Sequence, residues 1–155
     1  MDKMENGKVR PRIHKVLAQS YIVYLLALVF GLIFSAIWPF KIFVDATLMN
    51  TSSVVLLLSS MLILWAQKSS KKLKKENLTK KSFMKGPYRY TRNPTNLGLF
   101  ISMSSFGIIV NSVFVIVFSL VAFALSRLIF IKKEEQILEN KYETPYLEYK
   151  KIVKF

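Results

Sequence analysis

Two apolar blocks, Leu97–Val110 (LGLFISMSSFGIIV) and Val113–Ile131 (VFVIVFSLVAFALSRLIFI), are separated by Asn111-Ser112 alone. Long apolar blocks joined by so short a polar break describe a tight helical hairpin, and their length points to lipid as the solvent. The first block reaches only about 21 Å at roughly 1.5 Å per residue, so it is expected either to begin deeper than the headgroups or to gain a turn from Pro94 to Asn96. Working backwards, Val16–Ile37 would span about 33 Å. It exceeds the core of a signal peptide, and Trp38-Pro39-Phe40 follows it in place of a small-residue cleavage site, so it reads as a retained span. A polar link, Lys41–Ala46, leads to a further block, mixed at Asn50–Ser53 and aliphatic from Val54 to Ala66. Four transmembrane helices result, the last two forming the hairpin. The fold class is an all-α integral membrane protein with a helical C-terminal tail.

Composition agrees. Of 155 residues, 52% are apolar or aromatic, and Gly and Pro number five each, which excludes disordered and collagen-like chains. Cys is absent and His14 is the single histidine, so thiolate sites, disulfides and histidine metal clusters are excluded. Lys and Arg total 23 against nine Asp and Glu. Five of the basic residues precede the first span, ten lie between Lys68 and Arg92, and six follow Ile131; only Lys41 falls on the opposite side. Because Lys and Arg are retained in the cytoplasm, this bias predicts cytoplasmic N- and C-termini in a multi-pass protein. The chain divides into a two-helix part (1–66), a cytoplasmic loop (67–96), the hairpin (97–131) and a cytoplasmic tail (132–155), all one membrane domain. The basic run from Lys68 to Lys75 reads as a topological anchor that also attracts anionic headgroups; beside two membrane helices it does not suggest nucleic acid. His14 reads as interfacial, and the sequons at Asn50 and Asn77 are short enough to arise by chance.

The loop ends in Gly86-Pro87-Tyr88-Arg89-Tyr90-Thr91-Arg92-Asn93-Pro94-Thr95-Asn96-Leu97-Gly98. Gly86-Pro87 forces a turn, Tyr and Arg alternate, and Pro94 suits the first position of the third helix. The free amides of that helix start, with Arg92 and Asn93 beside them, would favour a carboxylate or phosphate, while an interfacial aromatic belt accounts for the same residues. Glu134-Glu135 is an uncommon acidic pair at the inner mouth of a membrane helix. Since the hairpin returns the chain to the side it left, the Arg92–Gly98 segment is expected to lie beside that pair. Arg127, seven residues earlier, is expected to point along the face of Glu134 from about 10 Å deeper. In the tail, Leu138, Tyr142, Tyr146, Tyr149 and Val153 form an amphipathic stripe. Pro145, with Thr144 as a cap, predicts two short pieces folded against the membrane face, as packing or as a lid.

Taken together, these residues resemble the isoprenylcysteine carboxyl methyltransferase and phospholipid methyltransferase family of membrane enzymes. The likeness covers roughly the last 70 residues: an Arg-Asn-Pro segment with Gly98, a hydrophobic hairpin, Glu134-Glu135 and the tyrosine-bearing tail. It implies S-adenosylmethionine as methyl donor, held at the cytoplasmic face by Tyr88, Tyr90, Arg92, Asn93, Pro94, Gly98, Glu134 and Glu135, with Arg127 toward the substrate. Asn93 stands where the family motif often has His, and Asn96 where it usually has Tyr. Asn keeps a donor and an acceptor but does not titrate, so acid–base chemistry at this position is not expected. At Asn96 an aromatic face is lost, and Tyr88 and Tyr90 are the candidates to replace it. The donor's ammonium, carboxylate and adenine find chemical partners in glutamate, in Arg92 with Asn93, and in tyrosine rings.

The function expected is therefore an S-adenosylmethionine-dependent membrane methyltransferase, isoprenylcysteine carboxyl methyltransferase-like, acting on an amphiphilic or lipid-like acceptor. No metal and no catalytic triad is required, because the donor is intrinsically reactive. The alternatives are an NADPH-dependent membrane reductase of the sterol reductase type and a non-catalytic lipid-binding membrane protein.

Overall fold

The computed structural model describes residues 4–5, 8–9, 13–42, 45–70 and 83–153. The basic residues Lys71–Lys75, Asn77 and Lys154-Phe155 lie outside the described residues, and so does the side chain of His14. A two-residue antiparallel pairing, β1 (Met4–Glu5) with β2 (Lys8–Val9), precedes the helices. These are α1 (Ile13–Ile37), α2 (Ala46–Ser70), α3 (Pro94–Ile109), α4 (Val113–Leu125) and α5 (Lys132–Ile152). Gly86–Arg89 forms one turn of 3₁₀-helix, and Ser126–Ile131 a π-helical segment joining α4 to α5. Three helices are long and apolar enough to cross a membrane: α1 from Gln19 to Ile37, α2, and the continuous helix Val113–Asn140. The shorter α3 is apolar, and its 16 residues include the expected first turn at Pro94.

α2 packs chiefly on α3, α3 on α4 and α4 on α1, so the order across the bundle is α2, α3, α4, α1. Small residues make the close contacts. The Ser59 and Ser102 hydroxyls meet at 2.7 Å between α2 and α3, and those of Ser104 and Ser119 at 2.8 Å between α3 and α4. Val115, Ser119 and Ala122 fill the inner face of α4. The outer faces carry Leu25, Phe30, Ile33, Leu57, Met61, Leu64 and Leu120, all exposed, an apolar exterior that suits lipid. The hairpin turn is built as its sequence suggests. Asn111 takes φ 53°, which Asn tolerates better than most residues, and the Ser112 hydroxyl accepts from the Val115 amide to cap α4. Asn111 Oδ1 also accepts from the Ile42 amide at 2.6 Å, tying the α1–α2 link to this turn. Both links therefore share one end of the bundle, and the start of α3, the end of α4 and α5 share the other.

Helical backbone continues from α4 through the π segment into α5 as far as Tyr142. The first tail piece thus extends the fourth helix and is not a separate segment, since Lys132–Glu135 contains no helix breaker. The bend falls at Glu143 (φ 45°, ψ −125°), two residues before Pro145.

Candidate functional site

At the charged end, Gly86 adopts φ 61°, and a Cβ there would collide with the Ser69 hydroxyl of α2. Glycine therefore lets the chain leave the loop close against α2. The 3₁₀ turn that follows buries Pro87, and the chain enters α3 through Asn93. The Asn93 Oδ1 accepts from the Asn96 amide at 3.1 Å, a helix cap worth about 1 kcal/mol. Its Nδ2 donates to Glu134 Oε2 at 3.2 Å. Next to it, Arg92 Nη1 lies 2.7 Å from Glu135 Oε1. The Arg-Asn-Pro segment and the twin acids, 41 residues apart at Asn93 and Glu134, thus meet side chain to side chain.

A cavity of about 770 Å³ opens beside this junction. Thr91, Arg92, Asn93, Asn96, Arg127, Lys132 and Glu135 supply its polar wall, and Leu97, Phe123, Ala124, Leu128 and Ile131 its apolar wall. The volume is in the range that encloses a small-molecule ligand. Tyr90 stands at its border and is otherwise 76% exposed. Arg127 reaches the cavity together with Glu135, not with Glu134. A π segment spends about one more residue per turn than an α-helix, so the acid that shares the Arg127 face is displaced by one position.

Glu134 faces inward, behind Asn93. Burial pushes its carboxyl up to about 7, the Asn93 amide acting against this and the Glu135 charge adding to it. Tyr88 lies close by, half-buried; burial raises its phenol, Glu134 adds to that, and the polar side chains of Ser70 and Thr95 act against it. Two of the expected site residues serve packing. Pro94 is buried as the first residue of α3, and Gly98 faces α2, where a Cβ would sit 2.6 Å from Ile63 Cγ1.

The tail closes this end. Tyr146, Tyr149 and Val153 are buried on Phe83, with Met84, Leu138 and Tyr142 packed around them. All five residues of the tail stripe take part. The Tyr149 hydroxyl donates to the Tyr88 carbonyl at 2.7 Å, and Lys150 Nζ lies 2.9 Å from Glu135 Oε2 and 2.6 Å from Glu139 Oε1. Sequence reasoning missed Phe83, whose only signal is an apolar pair, Phe83-Met84, in an otherwise basic loop. It also missed Lys150, Lys132 and Phe123. Lys150 carried no signal, because only the bend at Glu143 brings it to Glu135.

Fold and site together define an all-helical membrane protein whose charged end holds an amphipathic cavity walled by an arginine–glutamate pair. Residues 51–145, from α2 to the bend in α5, match the family model for phospholipid methyltransferases. The chain belongs to that family, and the match extends the likeness back from the loop into α2. No curated protein and no solved structure matches the chain.

Proposed function

We propose that this protein is an S-adenosylmethionine-dependent methyltransferase acting on an amphiphilic, lipid-like acceptor. On this reading α1 to α4 each cross the membrane, and the termini and the loop before α3 face the cytoplasm. The carrying observation is the Arg92–Glu135 pair on the wall of a cavity lined by both charged and apolar side chains. The methyl donor ends in an amino acid, and a cation and a carboxylate held 2.7 Å apart offer a complementary pair to such a zwitterion. The donor set therefore fits the group: Glu135 for the ammonium or ribose hydroxyls, Arg92 and the Asn93 region for the carboxylate, Tyr90 and Phe123 for ring contacts. Glu134 and Tyr88 support Asn93 and the start of α3 from behind. When bound, the donor supplies a methyl group on a positively charged sulfur.

This chain's own residues then have two tasks, orientation and exclusion of water. Leu97, Phe123, Ala124, Leu128 and Ile131 give an apolar chain a route from the lipid side, while Arg127 and Lys132 stand where its head would lie. Neither Asn93 nor Asn96 titrates, so the proton of an acceptor is not assigned to the Arg-Asn-Pro segment. The test is calorimetric binding of S-adenosylhomocysteine to the purified full chain in detergent, followed by methyl transfer from labelled donor into a lipid extract. Wild type is expected to bind and to label an amphiphile, and Glu135→Gln to weaken binding at least tenfold by removing a charged partner, worth about 1.4 kcal/mol or more. Failure to bind, with stabilisation by NADPH instead, would give the site to a reductase. Failure with both would leave a lipid-binding protein.

A further inference from the structure

Among the described residues Glu135 is the single carboxylate on the cavity wall, and both of its oxygens are taken by the chain's own cations: Oε1 by Arg92 and Oε2 by Lys150. The two cations differ in kind. Arg92 belongs to the start of α3 and is 18% exposed, whereas Lys150 is 36% exposed, reaches in from the far half of α5 and does not border the cavity. Its ammonium is shared with Glu139 at 2.6 Å, so a second carboxylate is in place to keep it if Glu135 is surrendered. Delivery depends on the bend at Glu143 and on the docking of Tyr146, Tyr149 and Val153 against Phe83.

Resting on the methyl-donor reading of the cavity, we infer that Lys150 is a built-in competitor for the occupant's ammonium at Glu135, with Glu139 as the position to which it withdraws. Lys150 thereby sets selectivity between ligands that carry an amino-acid end and those that do not. An ion pair this exposed is weak, which keeps the exchange reversible. The experiment compares binding of S-adenosylhomocysteine and of methylthioadenosine, which lacks the ammonium, to full-length wild type, Lys150→Met and Glu139→Gln by calorimetry. Lys150→Met should tighten S-adenosylhomocysteine roughly two- to fivefold and leave methylthioadenosine unchanged; Glu139→Gln, confining Lys150 to Glu135, should weaken S-adenosylhomocysteine by a similar factor. Unchanged or weaker binding of S-adenosylhomocysteine to Lys150→Met would overturn the inference and make Lys150 a strut for Glu135. If wild type binds neither nucleoside, the donor reading itself falls and takes the inference with it.

Discussion

Replacing Gly98 by Ala tests whether this residue serves the helix interface or the ligand. The new Cβ would sit 2.6 Å from Ile63 Cγ1 and 3.4 Å from the Ser59 carbonyl. Carbon atoms rest at about 3.5–4.0 Å, so α2 and α3 must separate by roughly 1 Å along a seam that also holds the Ser59–Ser102 hydroxyl contact. Overpacking of this kind costs about 1–3 kcal/mol. Ile63→Ala alone should cost about 2 kcal/mol, since the side chain is only half-buried. Combined with Gly98→Ala it should recover most of the first loss, a coupling of about 1–2 kcal/mol. The assay is unfolding in mixed micelles by increasing dodecyl sulfate, followed by circular dichroism, with nucleoside binding measured on the folded protein. Strictly additive costs would refute the contact. A Gly98→Ala protein of full stability that has lost nucleoside binding would refute the packing role.

Other outcomes follow from the charged end. Glu134 has its carboxyl raised from 4.5 to about 7, so the folded chain favours the neutral acid. Stability should fall as pH rises between these values, by about 3 kcal/mol, and then level off; in Glu134→Gln that slope should vanish from the unfolding midpoint against pH. Tyr149→Phe removes the bond to the Tyr88 carbonyl and should cost about 1 kcal/mol. It should also speed hydrogen exchange in the amides of 146–153 while those of α3 stay protected, and uniform exchange in both would show that the tail is not a separately held unit.

How far the sequence carries depends on the kind of cause. Helices of one solvent preference are written in runs of residues, so the hairpin, its Asn111-Ser112 turn and the Pro94 start of α3 could be read directly. The meeting of Arg92 and Asn93 with Glu135 and Glu134 follows from the same hairpin, because two antiparallel helices joined by a tight turn return the chain to its starting side. What could not be read depends on local departures from regular geometry. The π segment shifts the register by one residue, which brings Glu135 to the Arg127 face and leaves Glu134 behind Asn93. The bend at Glu143 reverses the tail, and only then does Lys150 meet an acid fifteen residues earlier in the chain. Gly98 is hard to read for another reason: a glycine near a binding motif and a glycine under a neighbouring helix are the same letter, and only the structure shows that a Cβ here would meet Ile63 of α2.

The order of the helices also bears on how the protein is made. α1 and α2 follow one another in the chain and are tied by a bond from the Gln67 amide to the Tyr21 hydroxyl, yet α1 takes most of its neighbours from α4. Because α1 precedes α4 in the chain, α1 must wait in lipid, without its main partner, until α4 is threaded. Truncation after α3 should leave α1 unmoored, whereas α2 and α3 can already clasp each other; assembly of this bundle closes from its newest edge onto its oldest.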